Sequence, residues 1–314
     1  MRQKDQILAQ PLKEKLSLFE QQKYLLSGIE ACENREAFLR QLIESIRRVN
    51  YISTIRTRDL SLLRANPSSD LFDPLKAAVL HKNQGQIDEA FWLVFLSVHF
   101  GKHRRTKWQL VRDIYGQLGS TNTWDWDTTN SSPERFCQWL KNNYEVLRGG
   151  DGVARHFGNH RKYESLNPTS HRWTGKVIES YIKWINPPRT HQMVIKEAQE
   201  KMDNNPRKTF DFLYKSMDMV LSFGRTARFD YLTMLGKLGL ASIEPGSTYM
   251  QGATGPLKGA RLLFGDNVTR KLKPFELDLW LVELEAYLNV GMQVLEDALC
   301  NWQKSPKRFK RFRG

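Results

Sequence analysis

The chain reads as an all-α protein on three observations. Apolar residues recur at helical spacing almost throughout, strand-like alternation is absent, and aromatic residues supply a large core. With 40% hydrophobic and 11% aromatic residues in 314, a disordered chain is excluded. Residues 5–50 read as one or two amphipathic helices ending near Tyr51, followed by a loop at 64–74. Ile87, Phe91, Phe95 and Val98 are spaced four, four and three apart and predict a helix with one buried face. Leu213, Met217, Val220 and Leu221 predict a second, and Leu277, Trp280, Leu281, Leu284 and Leu288 a third. Segments 119–133 and 149–170 are irregular, Asn186-Pro187-Pro188 closes a helix, and 245–259 is rich in glycine. The expected organisation is an N-terminal helical section packed on the core (1–75), a main helical domain (76–303) with a hairpin at 245–264, and a basic tail (304–314).

Charge narrows the function classes. Lys and Arg number 48 against 34 Asp and Glu, a formal charge of +14, which favours polyanions because Lys and Arg at phosphates release condensed counterions. No apolar run approaches the ~18 residues of a membrane span, and the polar opening Met1-Arg2-Gln3-Lys4 argues against a signal peptide. Cys32, Cys137 and Cys300 lie far apart with no CxxC pair, so a reduced, cytoplasmic setting is expected. There is no GxxxxGK[ST], no GxSxG and no HExxH. His99 and His103, like His156 and His160, have helical metal-ligand spacing, but Gly101 and Gly158 interrupt both pairs. No metal and no cofactor is expected.

Five segments carry candidate chemistry. Gly252, Gly255, Lys258 and Arg261 lie in GATGPLKGAR, a glycine turn entering an apolar helix. A helix-hairpin-helix needs such a turn to bring backbone amides against a phosphate; a glycine cap before a core helix has the same spacing. Phe157, Asn159, Arg161, Lys162 and Glu164 lie in RHFGNHRKYESL. Asn reads a base edge with paired donor and acceptor, and Arg clamps phosphate or carbonyl pairs, whereas a solvated basic loop is the plain alternative. Asp230 sits between Phe229 and Tyr231 in GRTARFDYL, held for catalysis or satisfied by Arg225 or Arg228. Trp124 and Trp126 alternate with Asp125 and Asp127, which suggests a platform for stacking a base with an acid in reach; packing anchors are the alternative. The tail interleaves Phe309 and Phe312 with Lys and Arg, a pattern that suits single-strand or phosphate contact.

FWLVFLSVHFGKH at Phe91–His103, HFGNHRKYESL at His156–Leu166, GRTARFDYL at Gly224–Leu232, GATGPLKGARLLFG at Gly252–Gly265 and EDALCNWQK at Glu296–Lys304 resemble the alpha-glutamyl/putrescinyl thymine pyrophosphorylase family, clade 3, of the DNA glycosylase-like superfamily. A more distant similarity is to the helical domain of hydroxymethyl-deoxyuridine DNA kinases, matched by Phe157, Asn159 and Leu299-Cys300-Asn301, with the basic position shared between Arg161 and Lys162. The resemblance implies a helix-hairpin-helix, DNA glycosylase-like helical fold that grips DNA, with a modified base as substrate. The expected function is a monofunctional, metal-independent DNA glycosylase that flips out and excises a bulky modified base from phage DNA, as antiviral defence. A downstream abasic-site nuclease and a monomeric state are expected with it. The alternatives are a transferase that attaches an amino acid or polyamine to activated hydroxymethyluracil, and a non-enzymatic DNA-binding module. The catalytic candidates are Asp230, then Asp127; counting from the hairpin, the family's acid falls near Glu276 or Asp278. Lys258 is a candidate imine-forming nucleophile. Asn159, Arg161, Glu164, Phe157, Trp124 and Trp126 are expected at the nucleotide, and Gly252, Gly255, Lys258, Arg261, Arg225 and Lys162 at DNA phosphates.

Overall fold

α-Helices and short turns make up the regular structure of residues 3–311, which the computed structural model describes, and no strand occurs among them. In chain order the helices are α1 (Gln3–Gln22), α2 (Cys32–Ile55), α3 (Pro74–Asn83), α4 (Ile87–Phe100), α5 (Gln109–Tyr115), α6 (Trp126–Ser131), α7 (Pro133–Asn142) and α8 (Thr174–Ile185). They continue as α9 (His191–Lys201), α10 (Pro206–Ser216), α11 (Arg225–Leu238), α12 (Gly255–Phe264), α13 (Asp266–Thr269), α14 (Pro274–Leu288) and α15 (Met292–Trp302). Local chemistry sets several starts. Asp73 caps α3 by accepting from Leu75 N at 3.2 Å and Lys76 N at 3.3 Å, and Pro74 follows in the first turn. Asn205 and Pro206 repeat the arrangement at α10.

The chain divides into two compact units, one of Met1–Ser53 with Pro245–Arg313 and the other of Thr54–Glu244. This partition differs from the expected boundary near residue 75, because α1 and α2 share a core with the C-terminal helices. That core buries Leu16, Phe19, Phe38, Leu42, Leu263, Phe264, Leu295 and Leu299. In α14 the predicted face is buried at Leu277, Leu281, Leu284 and Leu288. α12 and α15 approach so closely that a Cβ on Gly259 would lie 2.3 Å from the Leu299 carbonyl oxygen, which requires glycine there.

In the second unit α4 is the central element. Its spacing predicted one buried face, but every residue from Ala90 to Phe100 is buried, as expected of a helix apolar all round. Phe95 stacks on Tyr181 of α8 with ring centroids 3.7 Å apart. The helix expected through Leu213–Leu221 ends instead at Ser216: a 3-10 turn takes over at Met217–Met219, Ser222 has φ +58°, and Leu221 is exposed.

The helix-hairpin-helix was expected at 245–264, and only its second helix, α12, is present. Residues 239–254 contain no helix, so the glycine turn follows an extended loop. The basic tail folds back within its own unit. Arg40 of α2 lies 4.9 Å from the Phe309 ring centroid, and Arg311 Nε donates to Glu44 at 2.9 Å. Phe312, Arg313 and Gly314 lie outside the described residues.

Candidate functional site

Two of the segments singled out in the sequence meet in the second unit. α4 ends at Gly101, with φ +67°, and the returning loop crosses it glycine on glycine. Gly158 N donates to Phe100 O at 2.7 Å, and a Cβ on Gly158 would come within 2.8 Å of the Gly101 carbonyl carbon. This crossing seats the turn Asn159–Arg161 at the C-terminus of α4. Arg161 Nε then donates at 2.7 Å to Val98 O, one of the last four helix carbonyls, where a cation is also favoured by the helix dipole. Its Nη2 donates at 3.2 Å to Asp230 Oδ2 on α11.

Exposure differs sharply across this pair. The Arg161 side chain is 8% exposed and that of Asp230 42%. Burial pulls the guanidinium pKa down, opposed by the charges of Asp230 and Glu164, and a guanidinium stays cationic in proteins regardless. The result is a fixed buried cation under a carboxylate that reaches solvent. The partners expected for Asp230, Arg225 and Arg228, are engaged elsewhere. Arg225 lies 4.8 Å from the Phe229 ring centroid, and Arg228 pairs with Asp218 at 3.0 Å.

Glu164 sits beside the pair. Burial pushes its carboxyl up, against a hydrogen bond from Ser222 and the charges of Arg161 and Arg172. Its Oε2 is buried with no hydrogen-bond partner among the described residues. His99 is fully enclosed; burial and then the Arg161 charge push its imidazole down to about 3, so it is neutral, with Nε2 3.1 Å from Thr174 Oγ1. Phe157 stacks on Phe100 at 5.6 Å and meets His99 edge-on, anchoring the loop. Asn159 and Lys162 are exposed.

The remaining candidates are dispersed. Asp127 is exposed on α6. Asp278, in the other unit, has both oxygens engaged by the loop before α12: Oδ1 accepts from Thr248 Oγ1 at 2.6 Å and Oδ2 from Met250 N at 2.8 Å. Near that loop Gly252 and Lys258 are exposed, whereas Gly255 is packed against Cys300, and Arg261 is partly buried. Trp124 and Trp126 were expected as a stacking platform, but their rings are buried. Trp124 packs edge-on against Phe136 and Trp139, and Trp126 against His191 at 4.5 Å, so they serve as packing anchors.

Two groups escaped the sequence reading. Glu89 near the start of α4 accepts from Trp126 N at 2.6 Å and from Tyr115 OH at 2.8 Å, and burial pushes its carboxyl up to about 7. Beside it Asp88 Oδ1 is 2.5 Å from His191 Nδ1, His191 Nε2 is 2.7 Å from Tyr181 OH, and Tyr181 OH is 2.8 Å from Tyr231 OH. Both tyrosines are fully buried, which makes this relay a core network. Adjacent acids opening an otherwise apolar helix were the available signal.

The chain is a member of the alpha-glutamyl/putrescinyl thymine pyrophosphorylase family, clade 3, whose model matches residues 33–314. That places it among proteins of DNA base modification. No curated protein and no solved structure matches the chain.

Proposed function

We propose that the chain is a DNA glycosylase that excises a bulky modified base and leaves an abasic site. The observation that carries this reading is the Arg161–Asp230 pair, a carboxylate ion-paired to a buried arginine yet open to solvent. The target nucleotide must leave the stack, since no side chain reaches a glycosidic atom inside a duplex. In the proposed step the bond from C1′ to the base nitrogen breaks and its electron pair leaves with the base. Asp230 stabilises the cationic sugar, as an oriented charge does where charge develops, and accepts a proton from the water that adds to C1′. Glu164, beside the pair, is proposed as the group that passes a proton to the departing base. Asn159 reads the base edge from the exposed turn, and Arg161, already fully engaged, positions Asp230.

On the other unit, the exposed Gly252 turn and the first turn of α12, with Lys258 and Arg261, are proposed to hold phosphates, because free amides and a helix N-terminus favour anions. Arg225 and Lys162 are proposed as further phosphate contacts near the Asp230 site, and phage DNA as the source of the modified base. The second reading is a transferase, favoured by the family's own description, in which pyrophosphate leaves an activated hydroxymethyluracil as a free amine attacks.

The test is incubation with modified and unmodified phage DNA in EDTA, counting abasic sites with an aldehyde-reactive probe and identifying released bases by mass spectrometry. Abasic sites with a released modified base support the glycosylase. Intact sugars with amine-dependent pyrophosphate release from activated DNA replace it with the transferase.

A further inference from the structure

A cleft of about 670 Å³ opens between the 117–125 loop and α7, apart from the Arg161–Asp230 pair in its lining. Its size falls within the range of small-molecule sites. The lining is mostly neutral hydrogen-bonding groups, and its two charges differ in availability. Asp125 is committed to local structure: Oδ1 accepts from Thr128 N at 2.8 Å as the α6 cap, and Oδ2 from Thr123 Oγ1 at 3.3 Å. Arg135 is exposed and has no ion pair among the described residues. The only uncommitted charge in the cleft is therefore positive.

The neutral groups have a pattern of their own. Gln138 Nε2 donates to Asn142 Oδ1 at 2.7 Å. That bond fixes two amides one helical turn apart on α7 and leaves Gln138 Oε1 as an acceptor and Asn142 Nδ2 as a donor. A paired donor and acceptor is what the edge of a nucleobase requires. Trp139, partly buried, adds an aromatic surface, and Trp124 lines the cleft with a buried indole Nε1 that has no hydrogen-bond partner among the described residues. An unpartnered buried donor is costly, and a ligand acceptor would relieve it.

We propose that this cleft binds a nucleotide, with its base on the Gln138–Asn142 edge and Trp139 and its phosphate on Arg135. The nucleotide comes either free from solution or as one unit of a single strand. The site is separate from the proposed glycosylase chemistry, so either proposal stands if the other fails.

The experiment is calorimetric titration of the full chain with thymidine monophosphate and, separately, with an eight-nucleotide oligodeoxythymidylate, for wild type and for Arg135→Ala, Asn142→Ala and Arg105→Ala. All three substituted residues are exposed, and matched melting curves check the fold. The expected result is binding weakened at least tenfold by Arg135→Ala and at least threefold by Asn142→Ala, with Arg105→Ala, which removes a cation outside the cleft, close to wild type. That pattern with the monophosphate identifies a free nucleotide; with the oligonucleotide alone it identifies a strand. Absence of binding by both ligands, or losses no greater for Arg135→Ala than for Arg105→Ala, overturns the proposal.

Discussion

Asp230 on α11 and Asp278 on α14 are both aspartates on apolar helices, and their surroundings separate them. The Asp230 carboxylate pairs with a guanidinium buried beneath it and keeps 42% of its side chain in solvent. Asp278 uses one oxygen on the Thr248 hydroxyl and the other on the Met250 amide, so it secures a loop. A carboxylate with a charge behind it and an open face suits chemistry on a substrate; one saturated by its own chain suits folding. The difference lies in the partners, which residue type does not reveal.

The largest effect expected is at the cation behind Asp230. Arg161→Ala removes donors to Val98 O and Asp230 from a buried position, and should cost about 3 kcal/mol in denaturant unfolding along with base release. A loss below about 1 kcal/mol would mean that the pair is not anchored as described. Asp278→Asn keeps one acceptor but presents an amide to the Met250 N–H. It should cost about 1–2 kcal/mol while leaving base release per folded molecule within a factor of about 3. If activity fell instead with stability unchanged, the roles of the two aspartates would be reversed.

A smaller, pH-dependent effect comes from two groups near α4 and its partners. The Glu89 carboxyl is pushed from 4.5 up to about 7. Across that window the folded chain holds a proton that the unfolded chain releases, so this contribution to stability is lost as pH rises. His99 acts oppositely. Its imidazole is pushed from 6.5 down to about 3, so the unfolded chain takes up a proton first and stability is lost as pH falls below 6.5. Glu89→Gln should therefore flatten the decline in melting temperature between pH 5 and 7.5 and leave the acid-side decline in place. Parallel curves for variant and wild type would remove Glu89 from this account.

Much of the helical framework was legible, because α4 and α14 advertise themselves by apolar spacing. The segments around Arg161 and Asp230 were each visible, but their union was not, since it joins residues 69 apart in sequence. The partners expected from local sequence failed for a geometric reason: Arg225 and Arg228 lie five and two residues before Asp230, whereas helical neighbours are three or four apart. The glycine turn at 252–255 looked like a hairpin because residue identity at a turn does not say whether a helix precedes it. The two tryptophans in the Trp124–Asp127 run looked like an open edge, but Glu89 and His191, distant in sequence, draw Trp126 inward.

The central claim is that Asp230 is the carboxylate at the reacting sugar, and Asp230→Asn tests it with little change in shape. In single-turnover assays on modified DNA at saturating protein, base release is expected to slow on the order of 100–1,000-fold, with DNA binding near wild type. Release at the wild-type rate, with the variant folded and DNA-bound, would contradict it.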